Sequence, residues 1–175
     1  MKTKPIPIIP LSLIATFLSS DHIIEPKLLK QSPRLLGDAV GSPHFVSGDI
    51  AYAQGKYNAN KLYGIYRLNN DLYDPDTQEF LGKILTFVAS AEVSKNEYVA
   101  VTNKMTPFDL LRSKREAKQG DLILAIPEYE ALPAYFLPQS VSSKVTGYIL
   151  SSLNNRGVVG KWDAVVINKG KCDGI

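Results

Sequence analysis

Short apolar runs separated by turn-forming residues dominate the pattern of hydrophobic and polar positions along the chain. In the longest run, residues 80–93, Ile84 and Val88 point to one face while Leu85 and Phe87 point to the other. Both faces are apolar, which is typical of a strand in the wall of a barrel or a sandwich. A helical period of 3.6 residues is almost absent. The chain is therefore predicted to be mostly β.

Other strands are predicted where β-branched and aromatic residues lie between turn signals. They fall at residues 50–53, 62–68, 98–102, 122–126, 145–153 and 162–167. Residues 74–77, Asp-Pro-Asp-Thr, form the clearest turn, and residues 69–71 form a second turn cluster. A helical turn is predicted at residues 106–111, with Thr106 as its cap and Pro107 at its first position.

The dipeptide Gly-Asp precedes an apolar strand at two places in the chain. It occurs as Gly48 and Asp49, and again as Gly120 and Asp121. Such a pair turns or bulges the backbone just before the strand extends. The repetition indicates that the two segments are matched edges of one folding unit.

Stretches rich in Pro and Gly divide the chain into four predicted parts. Residues 1–44 form a Pro-rich arm, a short helix and a connector, and residues 45–127 form a small β-barrel or β-sandwich unit. Residues 128–143 form a linker, and residues 144–175 begin a second β unit. Because residues 168–174 form a turn that ought to feed a following strand, this second unit is predicted to be incomplete.

The N-terminal segment imitates a secretory signal, since Lys2 and Lys4 precede an apolar run that ends in small residues. Three prolines interrupt that run and leave residues 11–18 as its helical part, about two turns long. A bilayer requires about twenty residues of apolar helix. We therefore interpret the segment as an extended arm with a short docking helix, a linker rather than a signal, and predict no stable membrane span.

Composition and charge exclude several classes of function. The 175 residues are 45% hydrophobic and 21% charged, and the net charge of +3 is not concentrated in any Lys/Arg run, so nucleic acid is not an expected partner. Cys172 is the single cysteine, and no Cys/His pair has the spacing of a metal site. His22 and His44 have no catalytic motif around them. The sequence predicts no catalytic residue, no cofactor and no metal.

Two weaker kinds of chemistry stay open as alternatives. Asp74, Asp76 and Glu79 are close enough in sequence to serve as the carboxylates of a hydrolase, although their place in and after a turn favours turn formation. Tyr63 and Tyr66 lie on a predicted strand and are the candidates for stacking on glycan rings. The other interpretation of the two tyrosines is packing between strands.

Several segments, taken in order, resemble one family. They are Ile-Pro-Ile-Ile-Pro-Leu at 6–11, Gly-Asp-Ile-Ala-Tyr at 48–52, Tyr-Gly-Ile-Tyr-Arg at 63–67, Asp-Pro-Asp-Thr-Gln-Glu-Phe-Leu-Gly at 74–82, Gly-Asp-Leu-Ile-Leu at 120–124 and Val-Val-Ile-Asn-Lys-Gly at 165–170. In this order they resemble bacterial cell-envelope proteins in which β-rich repeats follow an N-terminal LysM domain. The resemblance covers nearly the whole chain, but the LysM signature is absent from it.

The resemblance implies a non-catalytic structural or interaction module of a peptidoglycan-associated envelope protein in the periplasm. It further implies an internal fragment of such a protein, whose association with peptidoglycan is indirect, through the missing LysM domain or through other envelope proteins. The alternatives are a carbohydrate-binding β module that uses Tyr63 and Tyr66, and a carboxylate-dependent hydrolase.

Overall fold

Alternating apolar residues form long antiparallel strands in this protein, described here from a computed structural model. The described residues are 8–12, 21–38, 41–95, 105–126, 135–136, 144–153, 158–161, 163–170 and 173. Strands account for 51% of the structure and helix for 7%. The prediction of a mostly β fold is therefore confirmed.

The elements are numbered in chain order. The strands are β1 (Ile9–Pro10), β2 (Asp21–Ile24), β3 (Leu35–Gly37), β4 (Ile50–Gln54), β5 (Leu62–Tyr73), β6 (Phe80–Val93), β7 (Met105–Ser113), β8 (Leu122–Ala125), β9 (Tyr135–Phe136), β10 (Ile149–Ser152) and β11 (Val165–Ile167). Helix α1 covers Pro26–Gln31, with the proline in its first turn, where the missing N–H removes no helical hydrogen bond.

The large sheet has the strand order β3-β4-β7-β6-β5-β8, and β2 also pairs with β6. It is antiparallel and is not closed into a barrel. One isolated bridge, between Arg34 and Leu122, links the segment before β3 to β8, but no continuous ladder joins the two ends of the sheet. There the Leu35 N–H donates to the Asp121 carbonyl at 2.8 Å, and the Ile123 N–H donates to the Pro33 carbonyl at 3.1 Å. The pairing goes no further than Pro33 because residues 26–31, which precede it, form α1.

Each face of the large sheet carries a cluster of buried apolar residues, because successive strand residues point to opposite sides and apolar residues occur at both sets of positions. The inner core lies on one face and comprises Leu35, Phe45, Ala51, Ala53, Tyr63, Ile65, Val88, Ala89, Ala91, Val93, Phe108, Leu110, Ala117 and Ile123. The outer core lies on the other face and comprises Ile24, Tyr66, Leu85 and Leu122, with Leu29, Leu68, Phe87 and Leu124 packed against them. Residues from β2 and α1 therefore cover the outer face.

The predicted helical turn at residues 106–111 is wrong, because this segment is part of β7. Thr106 does not cap a helix; its hydroxyl donates to the Gly55 carbonyl at 2.7 Å. Pro107 lies opposite Tyr52 of β4, and its carbonyl accepts the Ser94 N–H just beyond the end of β6. A proline is tolerated here because β6 has ended, so few ladder bonds depend on its missing N–H.

The predicted turn at residues 69–71 is also wrong, because these residues continue β5. The Asn69 side chain donates to the Thr86 hydroxyl of β6 at 3.4 Å. The long β6 partner therefore overrides the local turn preference of Asn and Asp. The chain reverses instead at Asp74, as predicted, where the Asp74 N–H donates to the Glu79 carbonyl at 2.9 Å.

The two Gly-Asp pairs form the same turn. The Asp49 side chain accepts the Val46 N–H at 2.7 Å, and the Asp121 side chain accepts the Lys118 N–H at 2.9 Å. Gly48 and Gly120 have φ of 95° and 89°, which favours glycine. The prediction of matched segments is confirmed for the turns, but the prediction that both segments are edges is wrong, because β4 lies between β3 and β7 whereas β8 ends the large sheet.

The residues that precede these turns pair with each other. Phe45 and Ala117 exchange two backbone hydrogen bonds of 2.8 Å. Each glycine N–H then donates to a leucine carbonyl, Gly48 to Leu110 at 2.8 Å and Gly120 to Leu35 at 2.9 Å. The two segments are thus related by an approximate two-fold arrangement around the Phe45 and Ala117 bridge.

The chain divides into two compact units, residues 22–70 with 82–128, and residues 1–21 with 71–81 and 129–175. In the first unit, the segment predicted as a connector supplies β2, α1 and β3 instead of only linking elements. In the second unit, β1 pairs with β9 and β10 pairs with β11. The predicted strand at 98–102 and Cys172 lie outside the described residues, as does most of the predicted docking helix.

Candidate functional site

A cleft of about 240 Å³ opens on the outer face of the large sheet, and we call it the outer cleft. One wall is β2, and the other is α1 with the residue that follows it. The floor comes from β5, β6 and β8. The lining residues are His22, Ile23, Ile24, Leu28, Ser32, Tyr66, Leu85, Leu124 and Ala125.

The walls of the outer cleft carry exposed apolar side chains. Leu29 packs against the outer core, whereas the neighbouring Leu28 lies at the rim and is 55% exposed. Ile23 on the opposite wall is 47% exposed. Large apolar residues are therefore accessible on both sides of an apolar floor, an arrangement typical of binding surfaces.

Few polar groups line the outer cleft. The His22 ring packs edge-to-face on Tyr66 with 5.5 Å between ring centroids. The Ser32 hydroxyl donates to the Leu28 carbonyl at 2.7 Å and thereby satisfies a carbonyl in the last turn of α1. The cleft is thus suited to apolar groups with a small number of polar contacts.

The two tyrosines proposed for glycan stacking lie on opposite faces of the large sheet. Tyr63 belongs to the inner core and is 5% exposed, and its hydroxyl both accepts the Asn58 N–H and donates to the Asn58 carbonyl. Its ring packs edge-to-face on Tyr57 and Phe108. Burial, together with the neighbouring Tyr63, raises the pKa of Tyr57 to about 12. Tyr63 therefore belongs to an aromatic cluster with no open ring face.

Tyr66 is 4% exposed and contributes to the floor of the outer cleft. Its ring lies over Gly64, where an added Cβ would stand 2.5 Å from the ring, and it packs edge-to-face on Phe87. These contacts favour the packing interpretation of both tyrosines. A shared stacking platform is not formed, because the two rings belong to different cores, and glycan binding stays a prediction.

The carboxylates proposed for hydrolysis lie at the tip of the β5–β6 hairpin. The Asp74 side chain accepts the N–H groups of Asp76 and Thr77 and also the Asn168 amide at 2.8 Å. The Asn168 hydrogen bond, followed by those from Thr77 and Asp76, lowers the pKa of Asp74. Asp76 and Glu79 are exposed. Asp74 is therefore an ionised turn-former that also holds a neighbouring loop of its own unit.

The Arg67–Asp121 ion pair is a feature that the sequence did not predict. Arg67 Nε and Nη2 donate to the two Asp121 oxygens at 3.0 and 2.8 Å, and Nη2 also donates to the Glu116 carbonyl. Asp121 is 3% exposed. The hydrogen bonds to Asp121 raise the pKa of Arg67. The pair holds the second Gly-Asp turn against β5.

The outer cleft was also missed at the level of sequence. Its residues come from β2, α1, β5, β6 and β8, and no local motif marks them. His44, the other histidine, is exposed and lies apart from the residues that line this cleft.

In the described ranges, no three His, Cys, Asp or Glu side chains form a group that could hold a metal ion. No helix in those ranges has the length and apolar character needed to cross a bilayer.

Comparison with known proteins adds no relative to this description. No protein-family model matches the chain, and no curated protein is significantly similar to it in sequence.

Proposed function

We propose that this chain is a non-catalytic interaction module of a bacterial cell-envelope protein. The observation that carries the proposal is the outer cleft, an apolar concavity with exposed walls at Ile23 and Leu28. Such surfaces on a folded domain typically mark contacts with other molecules. The work of the module is to hold a partner rather than to transform a substrate.

The structural contacts of Asp74, Asp121 and Ser32 support a non-catalytic function. Asp121 is held by Arg67, and Asp74 is held by backbone N–H groups and Asn168. Ser32 donates to a helix carbonyl. A nucleophile requires a base within hydrogen-bond reach, and a hydrolase requires carboxylates facing one another across a cleft. The contacts of these side chains serve the fold instead.

The assignment to the cell envelope is supported by the ordered resemblance to LysM-containing envelope proteins. The resembling segments include both Gly-Asp strands, which form matched turns in the structure. In this proposal the module acts in the periplasm. Its association with peptidoglycan is indirect, through a LysM domain or through envelope proteins. The chain itself makes no contact with glycan in this proposal.

Sedimentation with insoluble peptidoglycan tests the proposal. We expect the purified chain to stay in the supernatant, whereas a LysM-domain protein sediments as the positive control. Strong, saturable sedimentation of this chain alone would contradict the proposal and favour the carbohydrate-binding alternative.

A parallel incubation tests for hydrolysis by release of soluble muropeptides. We expect no product from the wild-type chain. Release that is lost in Asp74→Asn would establish the hydrolase alternative, because that substitution keeps the size of the side chain while removing its charge.

A further inference from the structure

We propose that the outer cleft and the adjacent edge of β8 together bind an extended segment of a partner protein that is acidic and apolar. The segment adds a strand to β8 and places an apolar side chain in the cleft. This inference rests on the proposed function and deepens it, because it names the surface and the class of partner.

The first step concerns the direction of the backbone groups in β8. Ile126 N–H donates to the Leu62 carbonyl, and the register pairs Gly64 with Leu124. In an antiparallel ladder, hydrogen-bonded and non-hydrogen-bonded pairs alternate. The backbone N–H and C=O of Leu124 therefore form hydrogen bonds with β5. The backbone N–H and C=O groups of Ile123 and Ala125 point away from β5, towards the edge of the sheet.

The second step concerns what occupies that edge. The Ile123 N–H is taken by the Pro33 carbonyl, and the pairing goes no further because α1 precedes Pro33. Ala125 is exposed, and in the part of the chain that the structure describes β8 has no strand partner other than β5. The Ala125 N–H and C=O thus present one donor and one acceptor to an incoming strand. An open edge of this kind is the site at which extended peptides add to sheets.

The third step connects the edge to the outer cleft. Ala125 and Ser32 both line the cleft, so the cleft opens where the β8 edge is unpaired. Alternate side chains of an added strand point to the outer face. An apolar space of about 150 Å³ holds a benzene molecule, so the 240 Å³ of this cleft accommodates one aromatic or branched side chain.

The fourth step concerns charge. The segment that contains the cleft walls, residues 21–34, carries the three cations Lys27, Lys30 and Arg34 and the two carboxylates Asp21 and Glu25, so its net charge is positive. The three cations are exposed. Electrostatic complementarity between surfaces favours a partner of opposite sign. The partner segment is therefore expected to carry Asp or Glu at the positions that flank its apolar side chain.

Isothermal titration calorimetry with defined peptides tests the inference. The probe is a peptide of about eight residues in which Leu and Glu alternate, and its comparison is the same peptide with Lys in place of Glu. We expect the Glu peptide to bind the full chain at a ratio of 1:1 and the Lys peptide to bind at least about tenfold more weakly. Absence of binding by the Glu peptide, or equal binding of the two peptides, would overturn the inference.

Two substitutions separate the edge from the cleft. Ala125→Pro removes the outward N–H without removing a β5 ladder bond, so it should weaken binding at least about tenfold, while Ala125→Ser keeps the N–H and should bind like the wild type. Leu28→Ser should weaken binding about fivefold. Its matched control is Leu111→Ser, at a residue of β7 that is 45% exposed and does not line the cleft.

The outcomes discriminate between this inference and its rivals. Circular dichroism tests whether each variant is folded. If Ala125→Pro does not fold, the binding of the peptide by Leu28→Ser decides whether the cleft is the binding site. Full binding by Leu28→Ser would place the peptide elsewhere and overturn the inference. Concentration-dependent dimers without peptide binding would assign the edge to a second copy of the chain and would also overturn it. The peptidoglycan sedimentation experiment does not depend on peptide binding or on dimer formation. If the peptide does not bind, the proposed function is therefore still tested separately by sedimentation.

Discussion

The two Gly-Asp turns share one backbone geometry but differ in the surroundings of their aspartates. Asp49 is exposed and accepts the Val46 N–H, whereas Asp121 is buried and binds both Lys118 N–H and the Arg67 guanidinium. Buried carboxylates require charged or hydrogen-bonding partners, while exposed ones are hydrated. The same local motif therefore contributes differently to the free energy of unfolding, depending on its tertiary environment.

The largest expected effect comes from Asp121→Ala. This substitution leaves Arg67, whose side chain is 30% exposed, without its bidentate partner. Because that guanidinium is partly hydrated, we expect the free energy of unfolding to fall by about 3 kcal/mol, the lower end of the range for broken buried pairs. Urea denaturation measures the loss. An effect no larger than that of Asp49→Ala would show that burial does not distinguish the turns.

Substitution of either turn glycine should lower the free energy of unfolding by a similar amount. Gly48→Ala and Gly120→Ala each force a side chain into a positive φ, although an added Cβ meets no atom within 4 Å at either position. The cost is therefore conformational, and we expect each substitution to lower the free energy of unfolding by about 1 to 2 kcal/mol. Thermal unfolding of the two variants side by side checks this expectation. Clearly unequal losses would mean that the two backbones are not equivalent.

Asp49→Ala should have a smaller effect. It removes the acceptor of the Val46 N–H at an exposed position, where water replaces part of the lost hydrogen bond. We expect a loss of about 0.5 to 1 kcal/mol, similar to the loss of a helix N-cap. Asp49→Asn keeps a side-chain oxygen and serves as the control in the same denaturation series. A loss as large as that of Asp121→Ala would contradict the comparison.

A change in salt concentration should have the smallest effect on the free energy of unfolding. The Arg67–Asp121 pair is partly accessible through Arg67, so its contribution should weaken by about 0.5 kcal/mol between low and high salt. The measurement is the stability difference between wild type and Asp121→Asn at two salt concentrations. The corresponding difference for Asp49→Asn should not change with salt, because Asp49 forms its turn hydrogen bond with a neutral N–H group.

The sequence by itself determined the elements whose signals are local. The bounds of β6, Phe80–Val93, follow from the alternation of apolar residues, and the Asp74 turn follows from turn chemistry that works within a few residues. The two Gly-Asp turns belong to the same class, since each needs only a glycine with positive φ and a nearby aspartate.

Only the tertiary structure decided the features that depend on distant partners. Residues 106–111 became a strand because β4 and β6 lie on either side of them, against the local helix-start signal of Thr106 and Pro107. Arg67 and Asp121 are 54 residues apart in the chain and meet only when β8 pairs with β5. The outer cleft likewise needs five elements to come together. Each of these depends on pairing energies between segments far apart in the chain, which no local pattern encodes.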